Sequence, residues 1–143
     1  MKKIIENLEL ILANSYSLYL KTQNYHWNVT GQNFKTLHEL FALHYEELIP
    51  AIDILAERIR TLGSKVDGSY ENFAKLTKFK SADKNLKNDA MVKDLIAANN
   101  VVIDLLKNGV LAAQKDSDDA TADILIGRIE AHQKNVWMLN SSL

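Results

Sequence analysis

The sequence predicts an all-α protein built as a four-helix bundle. Four long segments repeat apolar residues with the helical period of about 3.6 residues, and they span about 3–28, 33–62, 88–113 and 118–140. No segment alternates apolar and polar residues with the period of two that is typical of a strand. Because the chain has 143 residues, 47% of them hydrophobic, we expect one domain over residues 1–143 with a substantial buried core.

The first two helices follow from apolar columns and from glycine. The longest column of the first helix has heptad spacing and comprises Ile4, Ile11, Leu18 and Tyr25. The second helix should end at Gly63, because glycine favours a helix C-terminus. Pro50 lies inside the second segment and removes one backbone donor, but the apolar pattern continues on both sides of it. We therefore predict one bent helix there rather than two helices.

The later elements are separated by a long connection and a short turn. The connection at 63–87 is too long for an antiparallel hairpin, so we expect it to cross the length of the bundle and to carry a short helix near Tyr70–Lys78. Either Ser117 or Asp118 is a suitable N-cap for the last helix. The third helix is predicted from the apolar positions Met91, Leu95, Ala98, Val102 and Leu105.

Composition excludes several classes of function. The chain has no cysteine, which excludes thiolate metal sites, cysteine nucleophiles and disulfides. The net charge of −1 gives no overall positive field to attract nucleic acid or anionic lipid. No apolar run approaches the roughly 18 residues of a membrane span. Glu6 and Glu9 interrupt what would be the apolar core of a signal peptide, so we expect a cytoplasmic protein without membrane contact.

Two carboxylates of the second helix point away from its apolar stripe. Asp53 and Glu57 are spaced i and i+4, so they project together, and their angle from the stripe prevents them from lining this chain's own core. One interpretation is a solvated pair, with Glu57 reaching Arg58 or Arg60. The other interpretation is that the two carboxylates are metal ligands.

Two histidines are candidate partners of these carboxylates. His26 ends an apolar column of the first helix and His38 lies at the edge of the second helix's stripe, so each is either a packing residue or a ligand. A set of two imidazoles and two carboxylates suits iron, zinc or manganese. His38 and Asp53 are separated by about 22 Å along one helix, so a single chain cannot close such a site. Two antiparallel copies related by a two-fold axis near residues 45–48 would bring them together.

Other candidate residues have simpler interpretations. No glutamate is followed by histidine three residues later, which excludes the usual di-iron site inside a bundle. His44 and His132 are interpreted as packing histidines, and Trp27 as an apolar plug at a helix end or as an oxidisable aromatic beside His26. Negative charge gathers at the start of the last helix, where it could cap the helix or attract cations, through Asp116, Asp118, Asp119 and Asp123.

Three stretches carry a family signature. They read His26-Trp27-Asn28-Val29-Thr30-Gly31, then Asn33-Phe34-Lys35-Thr36-Leu37-His38-Glu39, and then Asp53-Ile54-Leu55-Ala56-Glu57-Arg58-Ile59-Arg60-Thr61-Leu62-Gly63. These stretches resemble the signature of the Dps proteins, the ferritin-like mini-ferritins of starved bacteria. Because segments 119–125 and 132–139 are also similar to that family's fourth helix, the resemblance covers nearly the whole chain. It implies a ferritin-like four-helix bundle with a short extra helix between helices 2 and 3.

The resemblance also implies an activity and an assembly. In Dps proteins the ferroxidase centre lies between two-fold-related subunits. The resemblance would therefore make His26 and His38 ligands from one subunit and Asp53 and Glu57 ligands from its neighbour. The implied reaction is oxidation of Fe(II), preferentially by hydrogen peroxide, followed by storage of ferric mineral in a shell of twelve subunits. This chemistry protects against oxidative damage. The acidic cluster at 116–123 is similar in position to the residues that line the family's three-fold iron pores.

Two departures from the family pattern define the alternatives. Ala42 stands where many members carry a further aspartate, which bears on a second, looser iron position. This chain offers only Lys2 and Lys3 in place of a lysine-rich N-terminal tail, so we expect weak or absent DNA binding at physiological salt. One alternative is a non-catalytic shell or nucleoid-associated structural protein with weak ferroxidase activity. Another is a monomeric bundle with solvated carboxylates.

Overall fold

Five helices and no strand make up the computed structural model, which describes all 143 residues. The helices are α1 (Lys2–Asn28), α2 (Phe34–Thr61), α3 (Tyr70–Leu76), α4 (Asn88–Lys115) and α5 (Asp119–Asn140). The four long helices form the bundle and α3 lies in the connection between α2 and α4. This arrangement confirms the predicted four-helix bundle with a short extra helix, and every helix end lies within two residues of its predicted position.

The core lies between the four long helices. α1 packs against α2 and α4, and α4 packs against α5. The largest fully buried side chains include Tyr25 of α1, Phe41 of α2 and Leu95 of α4. Burying each such side chain stabilises the fold by about 1.5–3 kcal/mol. The apolar columns seen in the sequence therefore form one continuous core.

α4 is a long and strongly apolar helix. By length and composition this helix could cross a membrane, with a mean hydropathy of 1.3 over its most apolar window. Charged residues such as Asp94 and Asp104 still divide it into short apolar runs, and core helices reach the same average hydropathy. The reason for its apolar composition is its central position in the bundle, because it contacts both α1 and α5 and buries apolar residues against them, including Val92, Val102 and Leu106.

α2 is a single helix that ends at a glycine. It continues through Pro50 without interruption, which confirms one helix in this segment. Gly63 adopts a left-handed φ of 95°, and its amide donates to the carbonyl of Arg60. The amide of Ser64 donates to the carbonyl of Ile59 at 3.2 Å. These two bonds form a Schellman motif, for which glycine is the favoured residue.

The corner between α4 and α5 is closed by Asp118. Its carboxylate caps α5 by accepting the amide of Thr121 at 3.0 Å, which selects Asp118 rather than Ser117 as the N-cap. Arg58 of α2 donates to the same carboxylate at 2.9 Å. Although burial raises the pKa of Asp118, the bonds from Thr121 and Arg58 outweigh it and lower the pKa below its usual value. The corner is thus held to α2 as well as to α5.

Lys21 anchors the long connection to the bundle. This side chain is only 3% exposed, and its Nζ lies 2.8 Å from a carboxylate oxygen of Asp94. It also donates to the carbonyl of Lys80 at 2.7 Å. Tyr25 donates to the same carboxylate from inside the core. Because a buried ammonium without partners is costly, these bonds fix where the connection crosses α1.

Candidate metal centre

His26 and His38 are brought together by the antiparallel packing of α1 and α2. Their imidazole rings stack with centroids 3.8 Å apart and planes 15° apart. His26 lies in the last turn of α1 and His38 in the second turn of α2. The short turn between the two helices therefore brings these residues opposite each other. The structure therefore places two of the four predicted ligands side by side, and both are partly exposed.

Reciprocal hydrogen bonds fix which nitrogen of each histidine is free. Nδ1 of His26 lies 2.6 Å from the backbone carbonyl of His38, and Nδ1 of His38 lies 2.7 Å from the carbonyl of His26. A carbonyl oxygen only accepts, so each Nδ1 carries the proton. The Nε2 atom of each ring is then the nitrogen that can offer a lone pair. Metal-binding histidines are oriented by this type of bond at the other ring nitrogen.

Asp53 and Glu57 lie further along α2 and are exposed. Neither carboxylate forms an ion pair within the chain. The interpretation in which Glu57 reaches Arg58 or Arg60 is therefore wrong. Arg58 is turned towards α5, where it bonds Asp118 and Thr121, and Arg60 donates to the carbonyl of Ser64. Both carboxylates remain available to a group outside this chain.

A single chain brings the two histidines together but not the carboxylates. No group of three or more His, Asp and Glu side chains in the chain could hold a metal ion. The outward side of α2 also exposes large apolar side chains, each about half exposed: Leu43, Ile49 and Ile54. Exposed apolar residues on the same helix as unpaired carboxylates are typical of a surface that another molecule covers.

Aromatic rings surround the histidine pair. Phe34 stacks on His38 at 5.0 Å between centroids, and Tyr45 packs edge-on against His26 at 5.3 Å. Neither contact is predicted from the sequence, although Tyr45 lies one heptad after His38 and therefore on the same side of α2. The interpretation of Trp27 as an apolar plug is wrong, because this side chain is 60% exposed. It lies about 200° around α1 from buried Tyr25.

Comparison with known proteins identifies the family. The model of the ferritin-like domain matches residues 5–143. The chain is 36% identical over 151 residues to a DNA protection during starvation protein from Brevibacillus brevis, covering 100% of this chain and 99% of the relative. It is also similar to the crystal structure of Dps from Staphylococcus aureus, with 31% identity, a TM-score of 0.96 and coverage of 100% and 96%. The chain belongs to the Dps family.

A third comparison names the chemistry of a relative. Dps from Vibrio cholerae, described as a member of a broad superfamily of ferritin-like diiron-carboxylate proteins, is 29% identical with a TM-score of 0.93. The alignment covers 98% of this chain and 88% of that one. Membership of the Dps family makes this protein a mini-ferritin and supports iron storage as its general function.

The two remaining histidines of this Dps-family chain are buried, as predicted for packing residues. His44 is 4% exposed and His132 is fully buried. Nδ1 of His132 lies 2.9 Å from Oδ1 of Asn99, and its Nε2 lies 3.1 Å from the Arg128 guanidinium. Burial lowers the pKa of His44 to about 4 and the pKa of His132 to about 3, so both rings are neutral at pH 7. Neither ring can reach a metal ion from solvent.

The acidic cluster is divided by its hydrogen bonds. Asp118 is occupied by Thr121 and Arg58, and Asp116 accepts a bond from the N-terminal amine. Asp119 and Asp123 are exposed and form no ion pair within the chain. These two are therefore the carboxylates of the cluster that remain free to attract a cation.

Proposed function

We propose that this mini-ferritin oxidises Fe(II) at sites shared between two subunits and stores the ferric product inside a shell of twelve subunits. In the proposed site, His26 and His38 come from one subunit and Asp53 and Glu57 from its two-fold neighbour. The observation that supports this most strongly is the reciprocal bonding of the histidines, which leaves both Nε2 atoms free. Asp53 and Glu57, which would complete the site, lie on α2 together with His38, and both carboxylates are exposed and unpaired.

The donor set suits Fe(II) as the substrate. Imidazole nitrogen and carboxylate oxygen are both good donors to iron, and two carboxylates offset the charge that the ion gains on oxidation. Two Fe(II) ions give two electrons to one hydrogen peroxide, and with two protons the products are two Fe(III) ions and two water molecules. Peroxide is thereby consumed without release of hydroxyl radical. We propose that the protein works in the cytoplasm and protects against oxidative damage in this way.

Three further surfaces define the proposed partners. The exposed apolar residues Leu43, Ile49 and Ile54 provide the two-fold contact along α2. Asp119 and Asp123 provide negative charge at the end of the bundle where Fe(II) would enter the shell. DNA is proposed to bind weakly or not at all, because the lysines are matched by acidic residues and the net charge is −1. The exposed lysines of the connection are Lys75, Lys78, Lys80, Lys84 and Lys87.

The direct test is Fe(II) oxidation by stoichiometric hydrogen peroxide, followed optically in the assembled protein. We expect fast oxidation that is lost in a His38→Ala, Asp53→Ala double variant, because one ligand of each kind is removed from every site. Asp104→Ala is the matched control, since Asp104 is an exposed helical carboxylate on α4 and its loss should leave the rate unchanged. Sizing must show that all three proteins assemble.

The same experiment separates the alternative function. A non-catalytic shell or nucleoid-associated structural protein would assemble but oxidise Fe(II) slowly, at the same rate in the native chain and in the double variant. Ala42 is the observation that favours this alternative, because it provides no ligand one turn after His38. Equal slow rates would contradict the ferroxidase proposal, and a sizing result of about 16.2 kDa would contradict the shell.

A further inference from the structure

A continuous series of aromatic rings leads away from the histidine pair. Tyr45 packs edge-on against His26, and Tyr19 packs edge-on against Tyr45 with centroids 5.6 Å apart. Tyr16 follows at 5.8 Å from Tyr19, and Phe73 of α3 at 5.1 Å from Tyr16. Every step is within the distance of a direct aromatic contact. The series therefore joins the proposed iron site to the far side of α1 without a gap.

The chemistry of the rings gives the series a direction. Phenols give up an electron and a proton far more readily than a phenyl ring does. Electron transfer therefore stops at both phenylalanines, which are Phe34 on the other side of the histidines and Phe73 at the far end. The three tyrosines between them are the only oxidisable members. Trp27, although next to His26 in the chain, is 60% exposed and has no ring contact with either histidine.

We propose that Tyr45, Tyr19 and Tyr16 form a relay that carries single oxidising equivalents away from the iron site. The inference rests on the proposed ferroxidase function, because that reaction supplies the oxidant. It concerns the failure of that reaction, when one Fe(II) ion meets hydrogen peroxide without a second Fe(II) ion to give the second electron. The relay gives that electron instead, so hydroxyl radical does not persist beside the ligands.

The electron and proton balance closes at each step. One Fe(II), one hydrogen peroxide and the phenol of Tyr45 give Fe(III), one hydroxide, one water and the Tyr45 phenoxyl radical. Tyr45 then regains an electron and a proton from Tyr19, whose phenol becomes the radical, and Tyr19 regains both from Tyr16. The net result is one oxidised tyrosine at Tyr16 and an intact phenol beside the histidines.

The surroundings of Tyr16 suit it as the end of the relay. Tyr45 and Tyr19 are partly buried between α1 and α2, whereas Tyr16 is 43% exposed. Tyr16 lines a cavity of about 410 Å³ between α1 and the connection, together with Phe73 and Tyr70. A radical at this position is separated from the ligands by two rings. The other buried tyrosine, Tyr25, bonds Asp94 and lies outside the series.

The test is electron paramagnetic resonance of the assembled protein, frozen rapidly after Fe(II) is mixed with excess hydrogen peroxide. Iron oxidation is measured optically in the same samples. We expect a tyrosyl signal in the native chain and loss of that signal in Tyr45→Phe, which keeps the ring contact but removes the phenol. Tyr16→Phe should keep the signal but change its hyperfine pattern, because the radical then stays on Tyr19. Tyr70→Phe, an exposed tyrosine on the same cavity, is the matched control and should behave as the native chain does.

The outcomes separate the relay from the ferroxidase function. If iron is oxidised and the tyrosyl signal is the same in Tyr45→Phe as in Tyr70→Phe, the relay is wrong and the ferroxidase function stands. A signal assigned to tryptophan in place of tyrosine would also overturn the relay, since it would make Trp27 or Trp137 the acceptor. If the native chain oxidises no iron, the source of the oxidant is absent and both proposals fail together.

Discussion

His44 shows how a buried histidine makes the bundle sensitive to acid. Its Nε2 is buried and has no hydrogen-bond partner in the protein. Burial lowers the pKa of this histidine, and the nearby Glu47 only partly opposes the shift. The folded-state pKa of about 4 lies below the unfolded value of about 6.5. The unfolded chain therefore binds the proton first, and stability present above pH 6.5 is lost as the pH falls towards 4.

Replacing His44 by leucine should stabilise the protein. A buried polar atom without a partner lowers the free energy of unfolding by about 1–3 kcal/mol. While the folded ring stays neutral, each pH unit below 6.5 lowers the free energy of unfolding by about 1 kcal/mol more. We expect His44→Leu to raise the free energy of unfolding by about 1–2 kcal/mol at pH 7.5 and by more at pH 5. Denaturant unfolding at both pH values, at one fixed protein concentration, measures this.

His132→Leu is the matched control for this prediction. It removes a second buried histidine with a lowered pKa, but His132 is bonded to Asn99 and contacts Arg128. Its loss leaves the buried Asn99 without that partner, so His132→Leu should destabilise the protein at pH 7.5. If His44→Leu also unfolds at lower denaturant than the native chain at both pH values, the account of Nε2 is contradicted.

At the scale of the helix, two glycines have opposite environments. A Cβ atom added to Gly109 of α4 would lie 2.8 Å from Cδ1 of Ile11 and 2.8 Å from Cδ1 of Leu125. A Cβ atom added to Gly127 of α5 would meet nothing within 4 Å. Gly109 is therefore the position at which α1 and α5 approach α4 closely, whereas nothing within one chain requires glycine at Gly127.

Alanine substitution should separate these two environments. Both Gly→Ala changes gain about 1 kcal/mol of helix propensity. Gly127→Ala should therefore stabilise the chain by about 1 kcal/mol. Gly109→Ala should destabilise the chain, because overpacking costs about 1–3 kcal/mol. Thermal unfolding of both variants under identical conditions measures the difference. Equal stabilisation by the two changes would show that Ile11 and Leu125 move aside at no cost.

The helices were predictable and the contacts between them were not. Periodicity and Gly63 define where each helix lies because those signals are local in the chain. The stacking of His26 on His38 depends on how α1 and α2 are rotated about their axes, which only the packed core decides. The exposure of Trp27 and the binding of Arg58 to Asp118 depend on the same rotation. From the sequence alone, Trp27 is therefore assigned wrongly as an apolar plug, and the binding of Arg58 to Asp118 is missed.

At the scale of the whole molecule, the two halves of the proposed site lie on different parts of one chain. The free Nε2 atoms are at one end of the α1–α2 pair, and the unpaired carboxylates of Asp53 and Glu57 lie several turns further along α2. The spacing of His38 and Asp53 along one helix, about 22 Å, predicts this separation from the sequence alone. A two-fold axis across α2 is the arrangement that makes two complete sites from two incomplete chains.

Subunit complementation tests this claim most directly. One variant carries His26→Ala and His38→Ala, the other carries Asp53→Ala and Glu57→Ala, and each should assemble but oxidise Fe(II) slowly. When the two are unfolded together and reassembled in equal amounts, half of the two-fold pairs are mixed, and each mixed pair has one intact site of two. The account predicts recovery of about a quarter of the native Fe(II) oxidation rate with peroxide. A mixture no more active than its separate components would contradict the shared site.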